Sequence, residues 1–346
     1  MSPRNDRTRA QHEGRLSRYR ARRAVRRAAH RVPGPVGTLR AEPVPVTGAG
    51  GVPLHVEVEE HPDPSAPTIV FAHGVTVTLD TWHYQRAELR DLGRAVYYDH
   101  RGHGRSGPTE PGDATMARLA EDLRTVIEAT APPGSPVVVA GHSMGGITIM
   151  ALATHHPELF GDRIVGVALC DTSACLAESV FHLPPRLAQA GAPYLGRLMA
   201  VLLRNPGRLD AARRLTALLT APLVGRMAFA DPRRDPALVR SVYQMVAACP
   251  SRTLAAFLAD LADYDLRETL HPLSEVETLV LAGRHDRLIP LAHKRVIADR
   301  VPDARLEVVR GAGHMAIMER PDVVNPLLRD LVTRAVTRRA NGTRTA

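Results

Sequence analysis

From Val137 to Met150 the sequence reads Val-Val-Val-Ala-Gly-His-Ser-Met-Gly-Gly-Ile-Thr-Ile-Met. Three β-branched residues and an alanine form a short continuous apolar run, the pattern of a strand buried on both faces. Beyond Gly145 an apolar segment continues to Pro157, long enough for a helix. Ser143 therefore falls on a sharp strand-to-helix turn. Such a turn crowds the strand backbone against the helix backbone, so the places beside the serine must be almost free of side chain, and Gly141 and Gly145 occupy them. A serine held this way presents its Oγ at the carboxyl edge of a sheet, with the amides of the helix N-terminus aimed at any negative charge that develops nearby. This is the pattern of a nucleophile elbow.

The remaining chain supplies a sheet for that turn. Val44 to Val46 and Leu54 to Val58, around Gly48-Ala49-Gly50-Gly51, read as an opening antiparallel hairpin. Thr68 to Ala72 reads as a strand ending in His73-Gly74-Val75-Thr76, and Arg94 to Tyr98 as one ending in Asp99-His100-Arg101-Gly102-His103-Gly104-Arg105-Ser106. Ile164 to Leu169 is another apolar strand, with Asp171 just past its end; Glu277 to Ala282 and Arg305 to Val309 complete the set. Helices are expected over Asp80 to Leu92, over Ala114 to Thr130, where Leu119, Leu123, Val126 and Ile127 recur at helical spacing, and over Ser251 to Leu270. Strands alternating with helices in this rhythm give an α/β class with a mostly parallel, doubly wound sheet.

Between Ala174 and Pro250 the rhythm changes. Leu, Ala and Met recur at helical spacing, interrupted by Pro184-Pro185, Pro193, Pro206-Gly207, Pro222, Pro232 and Pro236, which predicts about four short helices and no strand. Their apolar content, Met199 and Leu202 included, exceeds what covering one sheet face needs. An inserted helical cap whose inner face lines an acyl or alkyl pocket accounts for the surplus. The organisation expected is a basic tail over residues 1–40, a core over 41–173 and 251–340, and a cap over 174–250.

The formal charge of +9 is unevenly distributed. Residues 1–40 carry twelve arginines against Asp6 and Glu13, so the tail accounts for the whole excess and the body is nearly neutral. Pro33-Gly34-Pro35 and Gly37 separate the two. Winding Arg15 to Val32 as a helix gathers only Ala and Val on one side, too weak a face to insert deeply. A solvated tail with a peripheral contact on an anionic membrane suits this chemistry, and direct nucleic-acid binding does not follow from a neutral body. No apolar run of membrane-spanning length and no secretory signal are expected. Cys170, Cys175 and Cys249 are an odd count without metal-ligand spacing, which fits a reducing, cytoplasmic compartment and no disulfide or metal. Lys294 is the only lysine; the preference for arginine, with the many Ala and Pro, reads as a bias of the coding sequence.

Two further positions bear on Ser143. Glu277 to Ala282 runs into Gly283-Arg284-His285-Asp286, and Arg305 to Val309 into Gly311-Ala312-Gly313-His314. A carboxylate and an imidazole thus stand just beyond strand carboxyl ends, where open α/β sheets build their sites. Serine is a weak nucleophile near neutral pH, so it needs an imidazole to take its proton and a carboxylate to fix that imidazole's tautomer. Asp171 is a second carboxylate in a comparable place. His73, His100, His103 and His142 read as loop-bracing residues, and the loop of Arg101 and Arg105 as structural.

With these five segments in order, residues 41 to about 335 resemble α/β-hydrolase-fold proteins of the serine esterase and lipase kind with a helical cap. The resemblance implies a cofactor-independent carboxylic ester hydrolase with Ser143 as nucleophile, His314 as general base and Asp286 as the orienting acid, Asp171 being the alternative strand-end acid of some members. It also implies an oxyanion hole from the backbone N–H groups of Val75 and Met144 and a small apolar ester or lipid as substrate. His73-Gly74-Val75-Thr76 departs from a glycine-rich oxyanion loop, although a backbone donor at Val75 survives the departure. The same triad also serves C–C bond hydrolysis and perhydrolysis, and a ligand-binding member without turnover would share the fold. A membrane-surface adaptor would instead work through its tail. Because no catalytic motif lies in residues 1–40, deleting them is expected to leave kcat on a soluble short-chain ester within about twofold, while any salt-sensitive sedimentation with anionic vesicles is lost. A collapse of activity in the truncated protein would show instead that the tail packs on the catalytic body.

Overall fold

The computed structural model describes residues 34–175, 206–215 and 217–342. Residues 1–33 of the expected basic tail, and Met199 and Leu202 of the expected cap, lie outside the described residues. Eight strands form one sheet: β1 (Pro43–Thr47), β2 (Pro53–Glu59), β3 (Thr68–Ala72), β4 (Arg94–Tyr98), β5 (Val137–His142), β6 (Ile164–Cys170), β7 (Glu277–Gly283) and β8 (Arg305–Val309), in the spatial order β1-β2-β4-β3-β5-β6-β7-β8. β1 and β2 pair antiparallel, β2 joins β4 antiparallel, and every other neighbour is parallel. This is the α/β-hydrolase fold, and all its parallel strands deliver their carboxyl ends to one edge.

The apolar runs are continuous because the sheet is covered on both faces. Alternate residues divide between two cores, as the period of two in a strand requires. Val70, Ala72, Val96 and Tyr98 face a core with Leu119, Leu123, Val126 and Ile127 of helix α2 (Met116–Thr130) and with Ile147 and Met150 of α3 (Met144–His155). Ile69, Phe71, Ala95 and Tyr97 face the other, where Phe71 stacks on Tyr97 at 4.8 Å and meets the buried Trp82 at 5.0 Å. Thr115 caps α2 by accepting from Arg118 N at 3.2 Å, a fixed start one residue inside the run that the sequence predicts.

Two helices are shorter than their sequence patterns. The segment expected as a helix from Asp80 to Leu92 begins with a 3₁₀ turn at Leu79–Trp82, continues as α1 (His83–Glu88) and ends when Leu89 leaves helical geometry. The segment from Ser251 to Leu270 is α-helical only to Asp263, with a 3₁₀ turn at Arg267–Thr269. After Asp263 the chain becomes extended at Tyr264, whose hydroxyl donates to Ser173 O at 2.9 Å, while Leu266 N donates to Ala174 O at 2.8 Å. These tertiary bonds satisfy backbone and phenol groups that a continued helix would leave elsewhere. Among the described residues of the segment 174–250, three helices appear: α4 (Pro206–Leu215), α5 (Ala217–Ala228) and α6 (Pro236–Ala248), followed by α7 (Ser251–Asp263). Helices α8 (Leu291–Arg300), α9 (Ala316–Glu319) and α10 (Pro321–Gly342) complete the order. No single described helix is long and apolar enough to cross a membrane.

Arg101 is fully buried, and its guanidinium is held by Asp122 of α2 through Nε at 2.6 Å and Nη2 at 2.7 Å. The same two residues hold Ala49: Arg101 Nη2 donates to Ala49 O at 2.6 Å and Asp122 Oδ1 accepts from Ala49 N at 2.9 Å. One buried pair thus ties the β1–β2 hairpin to α2 and to the loop after β4. Removing one partner strands a buried charge, so Asp122→Ala is expected to cost about 3–5 kcal/mol, whereas Arg124→Ala, which breaks only half-exposed pairs with Glu121 and Glu128, should cost less than about 1 kcal/mol. Urea unfolding followed by the emission of Trp82, the only tryptophan, compares the two; equal losses would remove the structural role given to Arg101.

Candidate active site

β5 ends at His142 and α3 begins at Met144, so Ser143 alone makes the turn. Its backbone takes φ 53° and ψ −117°, a conformation that costs a non-glycine residue about 1–3 kcal/mol. The neighbouring glycines are required by close approach. A Cβ on Gly141 would lie 2.4 Å from Gly145 O, and one on Gly145 would lie 2.2 Å from Ala72 O. Ser143 N donates to Cys170 O at 2.9 Å, and Thr172 Oγ1 donates to Ser143 O at 2.7 Å, which anchors the turn to the end of β6.

The loops after β7 and β8 bring Asp286 and His314 to this turn, and all three side chains are buried. His314 Nε2 lies 3.0 Å from Ser143 Oγ, and His314 Nδ1 lies 3.0 Å from Asp286 Oδ2. With Nδ1–H donating to the carboxylate, Nε2 carries the lone pair that accepts from the serine hydroxyl. Asp286 Oδ1 accepts from Leu288 N and Ile289 N, each at 2.9 Å, and Oδ2 also accepts from Lys294 Nζ at 2.6 Å. Burial alone would raise this carboxyl; the charges of His314 and Lys294, with their hydrogen bonds, outweigh it and hold Asp286 well below the usual carboxylate range. Asp171 does not reach the imidazole by a hydrogen bond; it accepts from Gly283 N at 2.7 Å and Ala316 N at 3.3 Å. Burial pushes the Asp171 carboxyl up, against the pull of Lys294.

Gly74, next to Val75 in the loop after β3, lies against Ser143, where an added Cβ would be 3.1 Å from Ser143 Cβ, and Met144 follows Ser143 as the first residue of α3. Among the described residues the backbone N–H groups of Val75 and Met144 have no hydrogen-bond acceptor. The β3 loop is tied to the loop after β4 by two histidines that burial keeps neutral. His73 is held down to about 4 and His103 to about 3, so each imidazole keeps a lone pair for a backbone donor. His73 Nε2 accepts from His100 N at 2.9 Å, and His103 Nε2 accepts from Thr76 N at 3.1 Å, next to Val75. His142, held down to about 3 mainly by burial, donates through Nε2 to His314 O at 2.8 Å. The sequence pattern marked these histidines as braces, but did not say which loop each braces.

The end of α5 is fastened to both loops through main-chain atoms. Arg287, beside Asp286, donates through Nη1 to Arg226 O at 2.7 Å and Phe229 O at 2.9 Å. Met315, beside His314, donates from N to Ala228 O at 3.1 Å. The Glu319 carboxylate accepts from Gly313 N at 2.6 Å and Ala230 N at 2.8 Å. Lys294, Arg287 and Glu319 are the residues of this region that sequence reasoning missed. Their only signal is proximity in sequence to Asp286 and His314, which does not distinguish them from their neighbours.

Residues 67–321 match the family model described as the alpha/beta hydrolase fold. The chain is 29% identical over 283 residues to a monoacylglycerol lipase of Mycolicibacterium smegmatis, spanning 79% of this chain and 89% of that protein. It is 27% identical over 259 residues to 3-oxoadipate enol-lactonase 2 of Acinetobacter baylyi, spanning 75% and 86%. In structure it is similar to a thermophilic esterase from Thermogutta terrifontis, with a TM-score of 0.68 and 26% identity over 85% of this chain and 99% of the esterase. A strained serine between two close-packed glycines, on a sheet of this order and within a match that spans most of the chain, makes this protein a member of the α/β-hydrolase-fold family.

Proposed function

We propose that the protein is a carboxylic ester hydrolase that works through an acyl-enzyme on Ser143, with His314 as general base and Asp286 as its orienting acid. The observation that carries this reading is the pair of 3.0 Å hydrogen bonds linking Ser143 Oγ, His314 and Asp286 Oδ2. Attack by Oγ on the ester carbonyl passes the serine proton to His314 Nε2. The carbonyl oxygen becomes an oxyanion, for which the N–H groups of Val75 and Met144 are the available donors. Collapse of the tetrahedral intermediate expels the alkoxide, which takes the proton from His314, and leaves the acyl group on Ser143. Water, deprotonated by the same imidazole, then releases the carboxylic acid and restores the serine. No step needs a cofactor.

The names of the relatives, a lipase, an esterase and a lactonase, support acyl esters as the substrate class. Residues 174–250 fit a cap over the acyl pocket, and the basic residues of 1–40 fit a peripheral contact with anionic lipid near such a substrate.

Ser143→Ala is expected to remove ester hydrolysis and labelling by a fluorophosphonate, a loss on the order of 10⁴ to 10⁶ in rate, with the fold intact by circular dichroism. Turnover that survives in the purified variant would sink the mechanism. Asp286→Asn should lower kcat by on the order of 10⁴ through the wrong imidazole tautomer, and Asp171→Asn by far less; the reverse ranking would exchange the two acids. On linear p-nitrophenyl esters, kcat/KM should rise by up to roughly fourfold per methylene from acetate to an optimum between butyrate and octanoate. A strict acetate optimum points to a small pocket instead of an apolar cap.

A further inference from the structure

The hydrogen bonds around Asp286 include one that the proposed mechanism does not use. Lys294, on α8, is the only lysine of the chain and is fully buried. Its Nζ donates to Asp286 Oδ2 at 2.6 Å, the same oxygen that receives His314 Nδ1, and also to Ile289 O. On its other side lies Asp171 Oδ1 at 3.7 Å. One buried ammonium therefore stands between two buried carboxylates, and only one of these faces the imidazole.

Two carboxylates this close, deep in the protein and without a cation, do not both remain ionised; a proton is drawn to one of them or to the imidazole beside them. Protonation of the imidazole disables the base, and protonation of Asp286 removes the acceptor that fixes its tautomer. We propose that Lys294 is a positioning residue of the triad: its ammonium keeps Asp286, rather than Asp171, the ionised carboxylate aimed at His314, and so preserves the imidazole as a free base toward lower pH. The proposal rests on the roles given above to Ser143, His314 and Asp286. The other titratable groups facing the pair are His142 from the end of β5, with His73 behind it, and Glu319 from α9, with Arg234 near it. His142 is held neutral to about 3 mainly by burial, and Glu319 is bonded to Gly313 N and Ala230 N. Neither supplies the missing positive charge.

The pH dependence of kcat/KM on p-nitrophenyl butyrate separates this role from simple packing. In Lys294→Met the acid limb should move to higher pH by about one unit, because imidazolium formation is no longer opposed by a neighbouring cation. Burial pushes the Asp171 carboxyl up to about 7, so it is largely neutral on the acid limb, and Asp171→Asn should leave that limb nearly where it is in the wild type. The double variant Lys294→Met/Asp171→Asn should therefore keep the upward shift of Lys294→Met. A purely structural lysine would leave profiles that are parallel and differ only in height, and that result would overturn the proposal. Should Lys294→Met fail to fold, Lys294→Gln, which removes the charge and keeps an N–H donor for Asp286, decides instead: an acid limb unmoved from the wild type's removes the electrostatic role. The rate at which a fluorophosphonate labels Ser143 gives the same profile independently of the ester. Undiminished hydrolysis by Ser143→Ala is a distinct result, which removes the triad itself rather than the part played by Lys294.

Discussion

Contact between two backbones, at the turn from β5 into α3, governs what the rest of this protein can be. Gly141 lies against the backbone of Gly145, and Gly145 against Ala72 O, so neither has room for a methyl group, and the serine between them is held in a strained backbone conformation. The surrounding structure holds it there. β5 is buried along its whole length, β3 and β6 flank it, and the ends of those two strands supply the groups nearest the turn. Ala72 O sits against Gly145, and Cys170 O accepts from Ser143 N. The strain is local, while the bonds that oppose it belong to three strands.

The sheet was legible because its signal is repeated. Each central strand is a short apolar run that ends in glycine, histidine or a carboxylate, and seven of the eight are found within a residue of where the pattern puts them, β5 alone running two residues further. Helix ends were less legible, since tertiary bonds set them: the apolar spacing that continues past Asp263 gives no hint that Tyr264 and Leu266 bond to residues 173 and 174. Ser143, Asp286 and His314 could be named in advance because each follows the end of a strand. Lys294 could not. It lies eight residues beyond Asp286, on a helix where Arg295 and Arg300 are exposed, and nothing in a linear sequence shows that this one turns inward.

The buried polar groups divide into two kinds. Arg101 with Asp122, and the histidines after β3 and β4, connect loops, and each has partners fixed by short hydrogen bonds. Asp171, Asp286, Lys294 and His314 form one electrostatic unit instead, in which both carboxyls respond to the lysine and the imidazole. Burial pushes the Asp171 carboxyl up, while the neighbouring cation and imidazole bring Asp286 down. Two aspartates at corresponding strand ends thus have opposite proton affinities, and only the more acidic one touches the imidazole.

The attachment of α5 to the loops of Asp286 and His314 uses carbonyl and amide atoms of residues 226, 228, 229 and 230, while the side chains that complete it, Arg287 and Glu319, come from the catalytic body. Bonds of this kind are indifferent to which side chains the helices carry. Side chains on α5 can therefore change without loosening its hold on the two loops. On the proposed reading, that leaves the carbonyls and amides to carry the position and the side chains to carry the selection among substrates.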